Sequence, residues 1–372
     1  MAVGGSRRSM FGEEDNAMPA YYSLIDSAWI PGMFPLLDRN GDPVCDCLEG
    51  DVPVVISAPH AGYTQFKAGD GNVRWGPPGA SRLGSRVQDL EAPQLQCPQL
   101  SGTPWFNIGG FNDSAGDINT RHIAFGIIRR LIALGVRPYA VINRVLRYHV
   151  DLARPWELQH RWSNNGNLLT PAQVEAQDPD FKKDYHSRYH ERLASFVQQV
   201  TSQGGWLFDI HGQNSIDQVV ISTTAGWMAR SDWVYLDGAT SFFASLEAQA
   251  LNPVALNRRP DGVDGAAVNF IPGLLHGATD PCTLSSNPPS KLDPVVPSPN
   301  RVHGVHVEIE GNQRIPMSGT REEQIKEMEK LGARVADAIY SFLDTHNFFA
   351  PARRQIAVRE RDADEAWYAL HG

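Results

Sequence analysis

The 372-residue sequence has few cysteines, no excess of basic residues and no long apolar run. Its four cysteines, Cys45, Cys47, Cys97 and Cys282, are too few and too irregularly spaced for a disulfide framework or a paired CxxC zinc module. They indicate free thiols in a reducing compartment, although Cys45 and Cys47 could still bind a metal. A membrane-spanning helix needs about 18 uninterrupted apolar residues, and no segment approaches that length. We therefore expect a cytoplasmic protein without a membrane partner.

The charge balance is acidic, with 33 lysines and arginines against 42 aspartates and glutamates and a formal net charge of −9. Proteins that bind nucleic acid need a broad basic face, because phosphate contacts dominate their affinity. Nucleic acid is therefore not expected as a partner. Hydrophobic residues make up 42% of the chain and charged residues 20%, which is typical of a globular protein with a sizeable core.

The length would allow two average domains, but α/β proteins often exceed about 250 residues as one unit. We expect a single domain over residues 21–350, between a loose tail at 1–20 and a charged peripheral tail at 351–372. The first tail has no apolar stretch of about 7–15 residues behind its arginines, unlike a secretory signal. Segments rich in glycine, proline or serine predict loop insertions at 63–112 and 280–300.

Apolar β-branched runs alternate with amphipathic stretches along the chain. Strand patterns occupy residues 51–60, 137–146, 206–212, 217–224 and 302–311. Helical spacing marks residues 117–136, 181–203 and 321–346, and a shorter helix is expected within 231–251. Strands that alternate with helices of more than about ten residues predict a largely parallel sheet covered by helices on both faces.

Polar side chains stand at the ends of three predicted strands. These are His60 after the first strand, Asp209 and His211 on the third, and Glu308 and Glu310 on the last. In such sheets, functional residues gather at the carboxyl ends of parallel strands, so we expect these groups to converge. Two imidazoles and a carboxylate commonly hold catalytic zinc with one position open for water.

Each of these groups also has a structural interpretation. A single histidine after a strand is more often hydrogen-bonded than a metal ligand, although the joint presence of His60 and His211 favours a site. Glu308 could be the solvent-facing position of an edge strand, because His306, Glu308 and Glu310 share one face under strand alternation.

The sequence does not fix a third metal ligand. It contains neither HExxH nor HxxE, since Tyr63 stands where the latter motif needs a glutamate. Asp117, Asp113 and Asp209 are the alternatives. An aspartate at a helix start, such as Asp117, is usually only a cap. Asp209, two residues before His211, could equally orient an imidazole rather than bind the metal.

The segment 143–157 concentrates charged side chains around a predicted strand end, namely Arg144, Arg147, Asp151, Arg154 and Glu157. The planar guanidinium group suits bidentate capture of a carboxylate, so these arginines could hold an anionic substrate. The alternative is an internal ion network that joins Arg147, Asp151 and Arg154.

Five segments, in order, resemble landmarks of the N-formylglutamate amidohydrolase family, which is related to the zinc carboxypeptidases. They are ISAPHAG, GDINTRHIA, NRVLRYHVDLARPWE, YHSRYHERLASFVQQVTSQGGWLFDIHGQ and VHVEIEGNQRI, and with insertions they cover residues 52–345. The resemblance implies a zinc-dependent hydrolase of N-acyl amino acids. It also implies a three-layer α/β/α sandwich around a mostly parallel mixed sheet, the carboxypeptidase-like or phosphorylase/hydrolase-like fold.

The resemblance further implies roles for individual residues. Zinc, or another divalent metal, would be held by His60, Asp117 and His211. Glu308 would act as general base, and Arg147 would bind the substrate carboxylate or the oxyanion. Further substrate contacts are expected from Arg144, Asp151, Arg154 and Gln213.

Two features depart from the family pattern. Ala153 stands where the family usually has asparagine, which bears on how the neighbouring arginines are held, and the loops at 63–112 and 280–300 are longer than the core needs. Our first hypothesis is hydrolysis of a small N-acyl amino acid that carries a carboxylate. The same site acting on peptides or larger amides is the second, and a small-molecule-binding protein without turnover is the third.

Overall fold

The protein is described by a computed structural model. The structure describes residues 30–39, 41, 43–62, 64–65, 88–89, 120–145, 150, 152, 156, 161–162, 168–201, 203, 205–213, 218–222, 238–255, 303–314 and 321–349. The two predicted tails and the insertion at 280–300 lie outside these residues, as does most of the insertion at 63–112. The domain boundaries therefore stay predictions.

In the part of the chain that the structure describes, eight strands form one mixed sheet. They are β1 (Met33–Leu37), β2 (Pro43–Leu48), β3 (Val54–Ala58), β4 (Tyr139–Asn143), β5 (Trp206–Gln213), β6 (Val219–Ser222), β7 (Pro253–Ala255) and β8 (His303–Glu310). Their order across the sheet is β1-β2-β4-β3-β5-β8-β6-β7. The four central strands β4, β3, β5 and β8 run parallel, as do β6 and β7, whereas the pairs β1–β2, β2–β4 and β8–β6 are antiparallel.

Among the described residues, six α-helices accompany the sheet: α1 (Thr120–Ala133), α2 (Pro171–Gln177), α3 (Arg188–Thr201), α4 (Phe242–Ala248), α5 (Gly311–Arg314) and α6 (Arg321–Thr345). A π-helix at Lys182–Ser187 runs directly into α3, and a 3₁₀ turn at Gly238–Thr240 precedes α4. Two-residue strands pair outside the main sheet, Thr64–Gln65 with Gln88–Asp89 and Arg161–Trp162 with Leu168–Leu169. Within the described part of the chain, none of the helices is long and apolar enough to cross a membrane.

The central strands divide their apolar side chains between two separate clusters. Ile56 of β3 and Phe208 of β5 belong to a cluster with α1, α4 and α6. Their neighbours Val55 and Leu207 point to the other face and belong to a cluster with the π-helix and α3. This alternation follows from the two-residue period of a strand. The predicted three-layer α/β/α sandwich around a mostly parallel mixed sheet is confirmed.

The predicted elements of the central layers are observed with bounds that are shorter, except that β5 is one residue longer. The helix expected at 181–203 is a π-helix followed by α3, and the strand expected at 137–146 is β4. Strands β1, β2 and β7 and helices α2 and α5 were not predicted. Cys45 and Cys47, considered above as metal ligands, are buried in β2 within the cluster that contains α3. Burial raises the pKa of both thiols, so they pack as small neutral side chains.

Helices α1 and α6 approach each other through glycine. A Cβ atom on Gly332 of α6 would lie 2.2 Å from the carbonyl oxygen of Ile123 in α1. A Cβ atom on Gly126 of α1 would lie 2.4 Å from the carbonyl oxygen of Glu329. No real Cβ sits so close to an oxygen, so both positions require the absence of a side chain.

Replacement of Gly332 by alanine is expected to destabilise the protein by about 1–3 kcal/mol, because the added methyl group overpacks the contact with α1. The sign of the change in unfolding free energy is informative, because the same replacement at an open helix position stabilises by roughly 1 kcal/mol. Guanidinium unfolding followed by circular dichroism measures the difference. Ser341→Ala, at an exposed position of α6, is the control and should change stability by less than about 0.5 kcal/mol. A more stable Gly332→Ala protein would contradict the close approach.

Candidate functional site

A group of buried polar side chains lies on the α3 face of the sheet, towards the carboxyl ends of the central strands. Alternate residues of β8, among them Val305 and Val307, face the α1 and α6 side, so His306 and Glu308 face the opposite side. The apolar cluster on that opposite face includes Leu207 of β5 but, in the described part of the chain, no residue of β8. On this face of β8, polar side chains therefore stand where apolar side chains would extend the hydrophobic cluster.

The register of the parallel strands sets the neighbours within the group. Glu308 of β8 is the partner of His211 in β5, and His306 is the partner of Asp209. On its other side, β5 pairs Asp209 with Ser57 of β3. Partners in adjacent strands point to the same face about 5 Å apart, so the sheet itself brings these five side chains together.

Both carboxylate oxygens of Asp209 have a side-chain partner. The Ser57 hydroxyl donates to its Oδ1 at 2.5 Å, and Nε2 of His211 lies 3.0 Å from its Oδ2. Burial alone would raise the pKa of Asp209, but His211 and His306 outweigh that effect and lower the pKa below its ordinary value. An ionised Asp209 accepts the Nε2 proton of His211. The other ring nitrogen of His211, Nδ1, is then left with a lone pair in the neutral imidazole.

Nδ1 of His211 faces the histidine that follows β3. It lies 3.1 Å from Nδ1 of His60, and the two rings meet edge to face at 89°. Zinc–nitrogen bonds are about 2.0–2.1 Å long, so two nitrogens on one tetrahedral zinc ion lie about 3.3 Å apart. The observed separation fits both a shared cation and a direct N–H···N hydrogen bond. The structure thus brings together the two histidines that the sequence singled out as metal ligands.

Glu308 is held at one of its two carboxylate oxygens. Its Oε1 lies 2.8 Å from Nε2 of His306. Its Oε2 is buried and makes no hydrogen bond within the described part of the chain. Glu308 is 9% exposed, and β8 is flanked by β5 and β6, so the interpretation as a solvent-facing residue of an edge strand is wrong. A buried carboxylate oxygen without a protein partner can serve as a proton acceptor.

His306 links the two carboxylates. Its Nδ1 lies 3.8 Å from Oδ2 of Asp209, and its ring stacks on His211 with 4.3 Å between the centroids. Burial and the nearby His211 lower the pKa of His306, but Glu308 and Asp209 outweigh them, so the net pKa is raised. Asp209, His211 and His306 also offer ligand atoms that all lie within 4.8 Å of one another. This group is an alternative place for a cation.

The turn that carries His60 is fixed by an asparagine at the end of β4. The side-chain amide of Asn143 donates to the carbonyl oxygens of Pro59 and Val145, each at 2.6 Å. Its oxygen accepts from the backbone N–H of Val145 at 2.8 Å. A Cβ atom on Gly62 would lie 1.9 Å from the Val145 carbonyl oxygen, so only glycine allows this approach. The backbone before His60 is thus hydrogen-bonded to the last residue of β4, and the backbone after it passes close to Val145.

Arg144, predicted to contact substrate, lies in an internal ion group. Its Nη1 is 3.4 Å from Oδ1 of Asp46 in β2, and Nη1 of Arg121 in α1 is 2.6 Å from Oδ2 of the same carboxylate. All three side chains are fully buried. The ion network considered for this segment, between Arg147, Asp151 and Arg154, involves other residues, which lie outside the described ones, so it stays a prediction. Contact between Arg144 and substrate stays a prediction.

Five further predicted residues lie outside the described residues: Asp113, Asp117, Arg147, Asp151 and Arg154. The side chain of Gln213 also lies outside them, although its backbone ends β5. The roles of these residues stay predictions. His306 was not among the predicted site residues. Its signal was present in the paired spacings of DIH at 209–211 and HVE at 306–308, which align only once the register of β5 and β8 is known.

No family model and no curated protein matches the chain. Among solved structures, it is similar to an N-formylglutamate amidohydrolase from Ralstonia eutropha, with 13% identity over 84% of this chain and 99% of the other and a TM-score of 0.42. A gene product from Agrobacterium tumefaciens is 14% identical over 80% and 94%, with a TM-score of 0.39. A metallo-carboxypeptidase from Burkholderia cenocepacia is 13% identical over 88% and 67%, with a TM-score of 0.33. At this level of similarity, any conclusion about function rests on the site.

Replacement of Asn143 by alanine is expected to destabilise the protein by about 1–3 kcal/mol, because the buried carbonyls of Pro59 and Val145 lose their donor. Asn143→Asp should be at least as damaging, since it sets a carboxylate against two carbonyl oxygens. Guanidinium unfolding measures both. Gln203→Ala is the matched control, because Gln203 is exposed and its amide donates to the carbonyl of Gln199. Equal small effects at positions 143 and 203 would show that the His60 turn does not depend on Asn143.

Proposed function

We propose that the protein is a metal-dependent hydrolase that cleaves the amide bond of a small N-acyl amino acid or a related compound. The observation that carries the proposal is the 3.1 Å approach of Nδ1 of His60 to Nδ1 of His211, with the Glu308 carboxylate on the strand beside them. The family resemblance of the five segments supports the choice of substrate class. The metal is proposed to be zinc, although another divalent cation would suit the same chemistry.

The donor set fits such a cation. Imidazole nitrogens suit zinc and the later first-row metals. A histidine that binds a metal usually donates its other ring N–H to a carboxylate, which fixes the tautomer and the ring orientation. His211 has this arrangement with Asp209, and Ser57 in turn orients Asp209. We therefore propose His60 and His211 as ligands, with Asp117 as the third.

A bound divalent cation supplies a Lewis acid, which polarises the amide carbonyl and lowers the pKa of water towards about 7. The residues of the chain do the rest. Glu308 accepts a proton from the attacking water through Oε2 and later passes it to the departing amine. Water oxygen adds to the carbonyl carbon, the carbon–nitrogen bond breaks, and the products are a carboxylate and an amine.

The arginines are proposed to recognise the substrate. Arg147 binds the substrate carboxylate or donates to the oxyanion that develops on the amide oxygen. Loss of one such donor commonly costs about 10²–10³ in rate. Asp151, Arg154 and Gln213 are proposed to add substrate contacts. Arg144 is the weakest member of this set, because its guanidinium already pairs with Asp46.

Metal analysis of histidine variants tests the ligand assignment. His60→Ala and His211→Ala are expected to lose bound zinc after dialysis, as measured by mass spectrometry, because each removes one of the paired nitrogens. His306→Ala should keep its zinc, whereas it would lose the metal if the Asp209, His211 and His306 group held the ion. His346→Ala, which removes a histidine that contacts the carbonyl of Thr240 and the ring of Phe342, outside the candidate site, is the control. Full zinc content in both His60→Ala and His211→Ala would refute the proposed site.

Substrate comparison tests the reaction. We expect zinc-dependent release of free amine from N-formyl or N-acetyl amino acids, and faster release from these than from dipeptides. Glu308→Gln should lower kcat by about 10²–10⁴ while it retains zinc, because only the proton acceptor is lost. Preference for dipeptides would favour a peptide hydrolase instead. Tight binding of N-acyl amino acids without any turnover would favour a binding protein that has lost catalysis.

A further inference from the structure

Glu308 and His306 form a buried pair on one strand. They stand two residues apart in β8, so their side chains leave the same face of the sheet. Nε2 of His306 lies 2.8 Å from Oε1 of Glu308, a normal length for a charge-assisted hydrogen bond. A glutamate side chain has three rotatable bonds, and this contact restricts them. It leaves Oε2 as the oxygen without a partner in the described part of the chain.

The His306 ring is itself held on two other sides. It stacks on the ring of His211 with an interplanar angle of 28°, and its Nδ1 lies on the side of Asp209. His306 is 1% exposed, and β8 is an interior strand. Its two ring nitrogens thus lie near two different carboxylates, Nδ1 near Asp209 and Nε2 near Glu308. A ring placed in this way has little freedom to turn.

We propose that His306 is a positioning residue for Glu308, fixing the carboxylate so that Oε2 faces the atoms that exchange the proton. The inference rests on the proposed function, because it assigns Glu308 the role of general base. It differs from a ligand role for His306, because it assigns Nε2 to the contact with Glu308.

A set of three variants tests this role. His306→Ala is expected to lower kcat by about 10- to 100-fold with little change in KM or zinc content, because an unanchored base samples unproductive orientations. His306→Gln should recover most of the loss, since its amide nitrogen corresponds to Nε2 of histidine and can donate to Glu308. His306→Asn is the matched control, because its shorter amide corresponds to Nδ1 and cannot replace that contact. Equal behaviour of the Gln and Asn variants would overturn the proposal.

A double-mutant cycle separates positioning from a general structural role. In the Glu308→Gln background, His306→Ala should cost less than about threefold in kcat, because the base that it positions is already gone. Fully additive losses, with an active wild-type enzyme, would overturn the role of His306 alone. Loss of zinc in His306→Ala would overturn it in favour of a ligand role. Absence of amide hydrolysis by the wild-type protein would instead overturn the proposed function and this inference with it.

Discussion

The site depends on one buried charge, the carboxylate of Asp209 at the centre of the sheet. A carboxylate without water is costly unless hydrogen-bond donors surround it. Here Ser57 from β3 and His211 from the same strand provide contacts at 2.5 and 3.0 Å, and His306 from β8 closes the third side. Asp209 orients His211, which faces His60, and it attracts His306, which contacts Glu308. Both pairs of side chains therefore depend on the same carboxylate.

Strand register determines which side chains surround Asp209. A slip of β8 by one residue against β5 would turn His306 and Glu308 to the α1 and α6 side and bring valines into the site. Register is protected because Val305 and Val307 pack in the larger hydrophobic cluster. The hydrophobic core on one face therefore fixes the polar arrangement on the other. Strand β8 thus contributes both to the stability of the core and to the geometry of the site.

The sequence predicted the layered fold and the approach of His60 to His211, because strand ends and helical periods are local signals. It did not predict His306, since that role depends on the pairing between β5 and β8, which no local pattern specifies. Strands β1 and β2 were missed because their proline residues and the buried Asp46 interrupt the apolar pattern. Helix α2 did carry a signal in the sequence: Thr170 and Gln173 form a capping box, and Pro171 is the first residue of the helix.

The polar face of β8 is not required by the hydrophobic core. Apolar side chains would extend the cluster around α3 across β8 and would stabilise the sheet at least as well, since buried ionic groups rarely contribute more than packed hydrophobic ones. Instead the face carries His306 and Glu308, and one oxygen of Glu308 is left without a partner in the described residues. This oxygen lies on the strand next to His211, which is where the proposed hydrolysis would place a proton acceptor.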